Sequence, residues 1–402
     1  MSPARAVRLY TAAVFFTFMG FSALFMAAGG LGLAASAGMI GLLWAPLLLW
    51  PVLALLRRPP PALVFTALFL AWTALSLAWS PYEKPDQAIK LLVLTPFFAL
   101  VPFGAARLDA KRKARFAAYT AILVGLAGAF FVFEAVTGSS IGYQVKLAQD
   151  AEPGAAADIL ANRTNSRGVS ALILITGPLA IWLWTGGRKV AAGALALTAL
   201  VGSVSFGVEA NFVALIVGAA AGALAWRRSG QGLAAALYAA AALILLTPFL
   251  LGMVSALLGE DAAQSLPFSW HQRLLIYGEG LRLLSESPIV GLGLDASRTL
   301  KDEVVLRGYA MQLIPLHPHN AGLHIWLETG AVGAGLAAAA LLLLGRSAAR
   351  SALSREVAAG LAFAFTAWFM MTTLGFGVWQ EWHHGALGLA LAVSMLNAPR
   401  ER

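Results

Sequence analysis

The polar segment 315–333, Pro-Leu-His-Pro-His-Asn-Ala-Gly-Leu-His-Ile-Trp-Leu-Glu-Thr-Gly-Ala-Val-Gly, carries the residues best suited to chemistry. It contains His317, His319 and His324, which are half of the six histidines in the chain. Because 59% of the residues are hydrophobic and only 12% are charged, a polar cluster of this density needs an explanation. A neutral imidazole can accept a proton from an attacking hydroxyl group, so the segment is predicted to hold a general base.

His319 is the predicted base. A proline precedes it, and proline is favoured at the first position of a helix, so we expect His319 in the first turn of a helix. The dipole of such a turn favours a neutral imidazole. Asn320, His324 and Glu328 are spaced four apart and would share one face of this helix. The alternative is that these histidines only line a solvated helix end, and His317 and His324 are expected to support the base.

A metal site is the competing interpretation of the histidines. His317 and His319 are separated by one residue, and His383 and His384 are adjacent. The chain contains no cysteine, and neither a His-Glu-x-x-His nor an Asp-x-Asp pattern accompanies the histidines. We therefore expect neither a metal ion nor another cofactor.

Basic residues near the same predicted face could bind an anionic substrate. A guanidinium group suits phosphate because its planar fork forms bidentate, charge-assisted hydrogen bonds. Snorkelling at the membrane interface is the alternative for each long side chain. The basic residues considered are Lys90, Arg163, Arg167, Arg273 and Arg282, and snorkelling is preferred for the last of them. Arg163 and Arg167 flank Asn165.

Apolar stretches of about twenty residues recur along the whole chain, which predicts an all-α polytopic membrane protein. The 40 glycines fit close packing between membrane helices. We expect about twelve spans, and we interpret the first as a helix and not as a cleaved signal peptide. The predicted spans are 9–28, 31–56, 62–79, 91–106, 116–137, 169–185, 190–207, 211–226, 232–257, 330–344, 357–378 and 385–398.

The net charge of +9 follows the predicted topology. With the N-terminus inside, most of the 28 basic residues fall in cytoplasmic segments, where only Asp109, Glu356 and Glu401 are acidic. This is the positive-inside pattern, so the charge does not indicate binding to nucleic acid. Both termini are expected in the cytoplasm and all six histidines on the outer face.

A long connection divides the chain into three predicted parts. Residues 1–257 would hold spans one to nine, residues 258–329 a large loop domain on the outer face, and residues 330–402 spans ten to twelve. Two shorter polar segments, 80–90 and 138–168, are expected on the same face. Apolar residues of the loop domain repeat at helical intervals, which predicts an amphipathic helix along the membrane surface. These residues are Trp270, Leu274, Tyr277, Leu281 and Leu284.

Two further features each have two interpretations. Glu209 lies in a tight turn near the membrane, where an ionisable group is either functional or a simple turn residue. The segment 379–384, Trp-Gln-Glu-Trp-His-His, is either an aromatic belt at the interface, which we prefer, or a rim that stacks on sugars.

Several motifs resemble those of bacterial O-antigen ligases, within the wider O-antigen ligase and polymerase superfamily. His319-Asn320, followed after nine residues by a Gly-x-x-Gly at 330–333, is similar to the ligase signature. The Glu-x-Pro-x-x-Gly-x-Gly at 286–293 and the Arg- and Asn-bearing segment 163–167 also resemble the superfamily. The chain departs from it near Glu209, where many relatives carry a Ser-Arg pair.

The resemblance implies glycosyl transfer at the periplasmic face of the bacterial inner membrane. An O-antigen polysaccharide would move from undecaprenyl diphosphate to a sugar hydroxyl of lipid A-core, and we expect inversion at the anomeric carbon. His319 would be the base, and Arg273 and Arg163 would stabilise the leaving diphosphate. The residues expected to bind substrate are Arg167, Lys90, Asn320, His317, His324 and Asn165. The expected partners are the donor, the acceptor and membrane lipids.

Four other functions remain open. An O-antigen polymerase or a protein O-oligosaccharyltransferase would share the donor and the fold but use another acceptor. A transporter of an anionic solute is more remote, because transporters usually contain internal repeats and the sequence shows no convincing one. A scaffold for envelope assembly would need no catalytic residue.

Overall fold

In the computed structural model, which describes residues 2–84, 86–258 and 260–397, the chain is almost entirely helical. The predicted cytoplasmic charges at 400–402 lie outside the described residues. The helices are α1 (Pro3–Ala27), α2 (Leu33–Arg57), α3 (Pro61–Leu75), α4 (Asp86–Ala106), α5 (Ala110–Val136), α6 (Ser140–Leu147), α7 (Ala155–Thr185), α8 (Lys189–Ser205), α9 (Glu209–Arg228), α10 (Gly230–Leu257), α11 (Glu260–Ser265), α12 (Phe268–Glu286), α13 (Ala321–Arg350), α14 (Arg355–Leu374) and α15 (Glu381–Met395).

Ten helices in the described part of the chain are long and apolar enough to cross a membrane, which confirms the prediction of an all-α polytopic membrane protein. They are α1 to α5, α7, α9, α10, α13 and α14, with α3 extended by a 3-10 turn to Ala78. The predicted seventh and twelfth spans correspond to the shorter helices α8, of 17 residues, and α15, of 15 residues.

The predicted start of the sixth span was wrong. α7 begins at Ala155, so Arg163, Asn165 and Arg167 lie inside a helix and not in a polar segment that precedes it. The polar groups are satisfied between helices: the Asn211 amide of α9 donates to the Ser166 carbonyl oxygen at 3.0 Å. The first half of α7 is rich in polar residues that pair within the bundle, and the sequence alone therefore resembled that of a loop.

Small residues bring the helices together. A Cβ atom at Gly41 of α2 would collide with the backbone of Phe97 in α4, and one at Gly168 of α7 would collide with the Met26 carbonyl oxygen of α1. Membrane helices gain packing energy from such close contacts because lipid offers no hydrophobic driving force between them.

The connection from α10 to α13 is more helical than a loop. It contains α11, α12 and an antiparallel hairpin of β1 (Glu303–Leu306) and β2 (Tyr309–Gln312). α12 is amphipathic, but the predicted apolar stripe is only partly buried: Tyr277 and Leu284 are buried, whereas Trp270 is exposed. α13 begins at Ala321, nine residues before the predicted boundary.

α13 is interrupted at Gly330, whose φ of 64° and ψ of −168° are not helical. The segment 287–294 lies against this break and replaces the lost helical hydrogen bonds. Two amides of the segment donate to α13: Leu292 N to Leu327 O at 2.8 Å and Gly293 N to Glu328 O at 2.9 Å. Two carbonyl oxygens of the segment accept hydrogen bonds from α13: Pro288 O from Ala331 N at 2.9 Å and Ile289 O from Val332 N at 3.2 Å. A broken helix is tolerated in a membrane protein when its free backbone groups find such partners.

Candidate active site

The C-terminal end of α14 brings together His319 and Arg273. The His319 Nδ1 atom lies 2.8 Å from the Gly375 carbonyl oxygen, and Arg273 Nη2 donates to the Leu374 carbonyl oxygen at 3.0 Å. The last carbonyl groups of a helix have no partner within the helix and carry the negative end of its dipole. Two predicted site residues from separate segments therefore meet at successive carbonyls.

The hydrogen bond to Gly375 determines which nitrogen of His319 carries the proton. A carbonyl oxygen only accepts hydrogen bonds, so Nδ1 is the protonated nitrogen, and in a neutral imidazole Nε2 then has a free lone pair. Among the described residues no hydrogen bond to Nε2 is found, and the side chain is half-buried. This geometry leaves Nε2 available to accept a proton.

The surroundings of His319 also keep the imidazole neutral. Burial lowers its pKa below the ordinary value of 6.5, the hydrogen bond to Gly375 opposes this effect, and the positive charge of Arg273 lowers the pKa further. Desolvation and a neighbouring cation both disfavour the protonated form. At neutral pH the side chain is therefore in the form that a general base requires.

The prediction that His319 lies in the first turn of a helix was wrong. Asn320 is the N-cap of α13, and its Oδ1 atom accepts a hydrogen bond from the Leu323 amide at 2.9 Å. His319 precedes the cap with a φ of 51°, in the left-handed region. Asparagine is a strong N-cap, so the helix begins directly after Asn320 and His319 stays outside it.

His317 holds the backbone of His319. Its Nδ1 atom accepts a hydrogen bond from the His319 amide at 3.3 Å, and the two ring centroids are 4.3 Å apart. The ring is buried, and this burial lowers its pKa well below the ordinary value. These contacts agree with the predicted supporting position next to the base.

His324 and Glu328 are four residues apart on one face of α13, as the spacing predicted. The His324 Nδ1 atom accepts a hydrogen bond from the Val378 amide at 3.2 Å, so its Nε2–H donates to Glu328 Oε1 at 3.1 Å. Both nitrogens are occupied by the protein, and the ring is buried. His324 is therefore a structural residue between α13 and the connection that follows α14.

The carboxylate of Glu328 is fully buried and is surrounded by donors. It accepts hydrogen bonds from the Asp295 amide at 2.7 Å, from the Ser297 hydroxyl at 2.6 Å and from Trp379 Nε1 at 2.5 Å. A buried charge is tolerated only when it is fully hydrogen-bonded. The network fixes the connection 375–380, which carries the Gly375 carbonyl that orients His319.

Asn165 is engaged within the protein. Its Nδ2 atom donates to Glu134 Oε2 at 2.9 Å and to the Ser139 hydroxyl at 3.0 Å, and its side chain is buried. Glu134 also accepts hydrogen bonds from the Ile141 and Gly142 amides. The geometry assigns Asn165 to the junction of α5, α6 and α7, and substrate binding stays a prediction for it.

The other cations lie further along the bundle. Arg163 is exposed, and Arg167, one turn later on α7, is half-buried with no hydrogen-bond partner for Nε among the described residues. Lys90 is exposed near the start of α4. The described contacts do not join these three side chains directly to His319 or Arg273.

Sequence reasoning missed the groups that orient the base. Gly375 and Leu374 act through backbone carbonyls, which leave no signal in the residue type. Trp379 had been assigned to an aromatic belt, but its indole nitrogen is bonded to buried Glu328. His384 likewise donates from Nε2 to the Val378 carbonyl at 2.6 Å, so it contributes to the same connection.

Comparison of the chain with protein-family models, with curated proteins and with solved structures finds no match. In the described ranges, no group of three or more His, Asp or Glu side chains is arranged to hold a metal ion.

Proposed function

We propose that the protein is a glycosyltransferase that takes its donor glycan from a lipid diphosphate, with His319 as general base and Arg273 as the stabiliser of the leaving group. The observation that carries this proposal is that the Nδ1 atom of His319 and the guanidinium group of Arg273 are held by successive carbonyls at the end of α14, which leaves His319 Nε2 free to accept a proton. Acid–base catalysis and charge stabilisation are the two requirements of the reaction.

The transfer can be written as a single displacement. An acceptor hydroxyl gives its proton to His319 Nε2 while its oxygen forms a bond to the anomeric carbon. The bond from that carbon to the phosphate oxygen breaks, and the electron pair leaves with the lipid diphosphate. This step inverts the anomeric centre. The imidazolium formed next to Arg273 has a lowered pKa, so it releases the proton readily for the next turnover.

Arg273 can stabilise the leaving diphosphate because its hydrogen bond to Leu374 leaves other N–H groups of the guanidinium free. Only Nη2 is engaged with the Leu374 carbonyl oxygen among the described hydrogen bonds, and the guanidinium has several other N–H groups. Arg163, Arg167 and Lys90 would attract the same anionic lipid further along the bundle.

The charge distribution supports a periplasmic site. At the end of the bundle opposite His319, Ser229 is bonded to the Leu353 carbonyl at 2.5 Å and Arg355 stacks on Trp226 with 4.5 Å to the ring centroid. The C-terminal ends of α2, α9 and α13 bring arginines to this end of the bundle. By the positive-inside rule it would face the cytoplasm of a bacterial inner membrane, with α8 and α15 as the two further spans.

The motif resemblance supports the specific substrates. The donor would be an O-antigen polysaccharide on undecaprenyl diphosphate, and the acceptor a sugar hydroxyl of lipid A-core. An O-antigen polymerase or a protein O-oligosaccharyltransferase would use the same base and the same cations with another acceptor, so the acceptor has to be tested directly.

A transporter of anions would be favoured by the break in α13, because discontinuous helices are common in transporters. Here the segment 287–294 already satisfies the backbone groups on both sides of Gly330. Those groups are therefore not free to coordinate a solute, and the break in α13 does not favour a transporter.

The test is glycan transfer by the purified protein in nanodiscs from a defined lipid-linked donor. Three acceptors are compared: lipid A-core, a second donor molecule and a peptide. We expect glycan attached to lipid A-core by the wild type and a loss of at least about a hundredfold in His319→Ala. The same reaction with chelator should proceed unchanged. Attachment only to a second donor would indicate a polymerase, and attachment only to the peptide would indicate a protein O-oligosaccharyltransferase. Undiminished transfer by His319→Ala would show that His319 is not the base.

A further inference from the structure

Glu209 contacts the helix that carries Arg273. It is the first residue of α9 and is exposed, and its Oε2 atom accepts a hydrogen bond from Trp270 Nε1 at 3.1 Å. Trp270 lies in the first turn of α12. The bond therefore joins the start of α9 to the start of α12, beside the end of α14.

Trp270 in turn supports the guanidinium group of Arg273. The two residues are three apart on α12, and Arg273 Cζ lies 5.2 Å from the centroid of the Trp270 ring. The negative face of an indole attracts a cation in this position. On its other side, Arg273 Nη2 is bonded to the Leu374 carbonyl oxygen. The guanidinium is thus held at two places, and the indole is one of them.

We infer that Glu209 is a positioning residue for Arg273, which it holds by fixing the Trp270 indole beneath the guanidinium group. The carboxylate oxygen accepts the indole N–H, which can only donate a hydrogen bond. A long arginine side chain otherwise samples many rotamers, and holding it in one geometry reduces the entropy that substrate binding must overcome. The effect of this anchor on transfer rests on the proposed function, whereas the anchor itself does not.

The other interpretation of Glu209 is a simple acid at a helix start. An acidic residue in the first turn stabilises a helix through its dipole without any contact to Trp270. That role would be lost in Glu209→Ala and in Glu209→Gln alike, because both remove the charge. The positioning role depends on an oxygen acceptor, so Gln should preserve it and Ala should not. The two substitutions therefore separate the interpretations.

The anchor can be measured without any activity, through the reaction of Arg273 with phenylglyoxal. Labelling of intact protein in nanodiscs is followed by mass spectrometry of the Arg273 peptide. We expect labelling roughly five-fold faster in Glu209→Ala and in Trp270→Phe, which keeps an aromatic ring but loses the N–H. Glu209→Gln should label like the wild type, and the double variant should label no faster than either single one. Arg282, an exposed residue of the same helix, is the internal reference.

Unchanged Arg273 labelling in Glu209→Ala and Trp270→Phe would overturn the inference, as would equally fast labelling in Glu209→Gln and Glu209→Ala. The transfer assay adds a second readout. If Arg273 is a stabiliser of the leaving group, Glu209→Ala and Trp270→Phe should lower kcat more than they raise KM, with no further loss in the double variant. Glu303→Ala, which removes an exposed acid of the hairpin, is the matched control and should leave kcat unchanged. A wild type that transfers no glycan would contradict the proposed function, while the labelling still decides the inference.

Discussion

At the scale of the residue, the reactivity of His319 depends on a backbone group. Histidine titrates near neutral pH, and which of its nitrogens accepts a proton depends on the hydrogen bond that the other one makes. The Gly375 carbonyl holds the proton on Nδ1, and burial together with Arg273 keeps the ring neutral. A histidine in this setting is a ready base without a carboxylate partner.

Arg273 is expected to contribute through its geometry as well as its charge. Arg273→Lys keeps the charge but loses the planar fork, the stacking on Trp270 and the bidentate bonding to phosphate, so it should resemble Arg273→Ala. We expect both variants to lower kcat by about a hundredfold in the transfer assay.

Arg282→Ala is the control for this prediction. Arg282 is exposed and bonded to Glu279 and Glu286 on its own helix, and such surface pairs contribute little to stability. Near wild-type transfer is expected. Full activity in Arg273→Lys would show that a point charge is sufficient and would contradict a role for the fork.

At the scale of the element, the segment 287–294 and the broken helix α13 form one unit. A Cβ atom at Gly291 would lie 2.5 Å from the Glu328 carbonyl carbon, and one at Gly330 would collide with the Ile289 carbonyl oxygen. These glycines belong to the two motifs that resemble the O-antigen ligases. In this chain their structural function is to let two backbones touch.

Substitution of these glycines tests that explanation. Gly330→Ala adds a Cβ atom both at a positive φ and against backbone, so we expect a loss of about 1–3 kcal/mol of stability. The measurement is thermal unfolding of the protein in detergent.

Gly335→Ala is the matched control on the same helix, because a Cβ atom there has no neighbour within 4 Å. Alanine is the better helix former, so this variant should be as stable as the wild type or slightly more stable. Equal stability of the two variants would contradict the close-packing explanation.

At the scale of the whole molecule, the two ends of the bundle differ in composition. One end has the histidines, Glu328 and the long connection to α13, and the other has most of the arginines. We propose that the first end faces the periplasm. Because the chain has no cysteine, single cysteines can be introduced without background labelling.

The expected pattern is labelling of Ser285→Cys and protection of Ser351→Cys when intact cells receive a membrane-impermeant maleimide. Both serines are exposed, at opposite ends of the bundle. Permeabilised cells should label both variants, which controls for reactivity. Labelling of Ser351→Cys alone in intact cells would invert the topology and place His319 in the cytoplasm.

The sequence predicted the helical membrane architecture because runs of apolar residues are a strong signal. It was less informative where polar residues pair inside the bundle. Asn165 and Ser166 made the first half of α7 resemble a loop, although both are satisfied between helices.

For the candidate site, residue type and spacing identified His319, Arg273 and the His324–Glu328 pair. They did not predict what these residues contact. Arg273 and His319 are held by the backbone carbonyls of Leu374 and Gly375. Because every residue has a backbone carbonyl, the sequence could not predict these contacts. The residue type of Glu209 left two roles open, and its bond to Trp270 could not be predicted from the sequence.

The central claim is that neutral His319 accepts the proton of the acceptor, and the pH dependence of single-turnover transfer tests it most directly. Protonation of Nε2 removes the base, so the rate should fall as the pH falls, with a midpoint below 6.5 because the pKa of His319 is lowered. The residual rate of His319→Ala should lack this acid limb. An acid limb that persists unchanged in His319→Ala, or a wild-type midpoint above 6.5, would contradict the account.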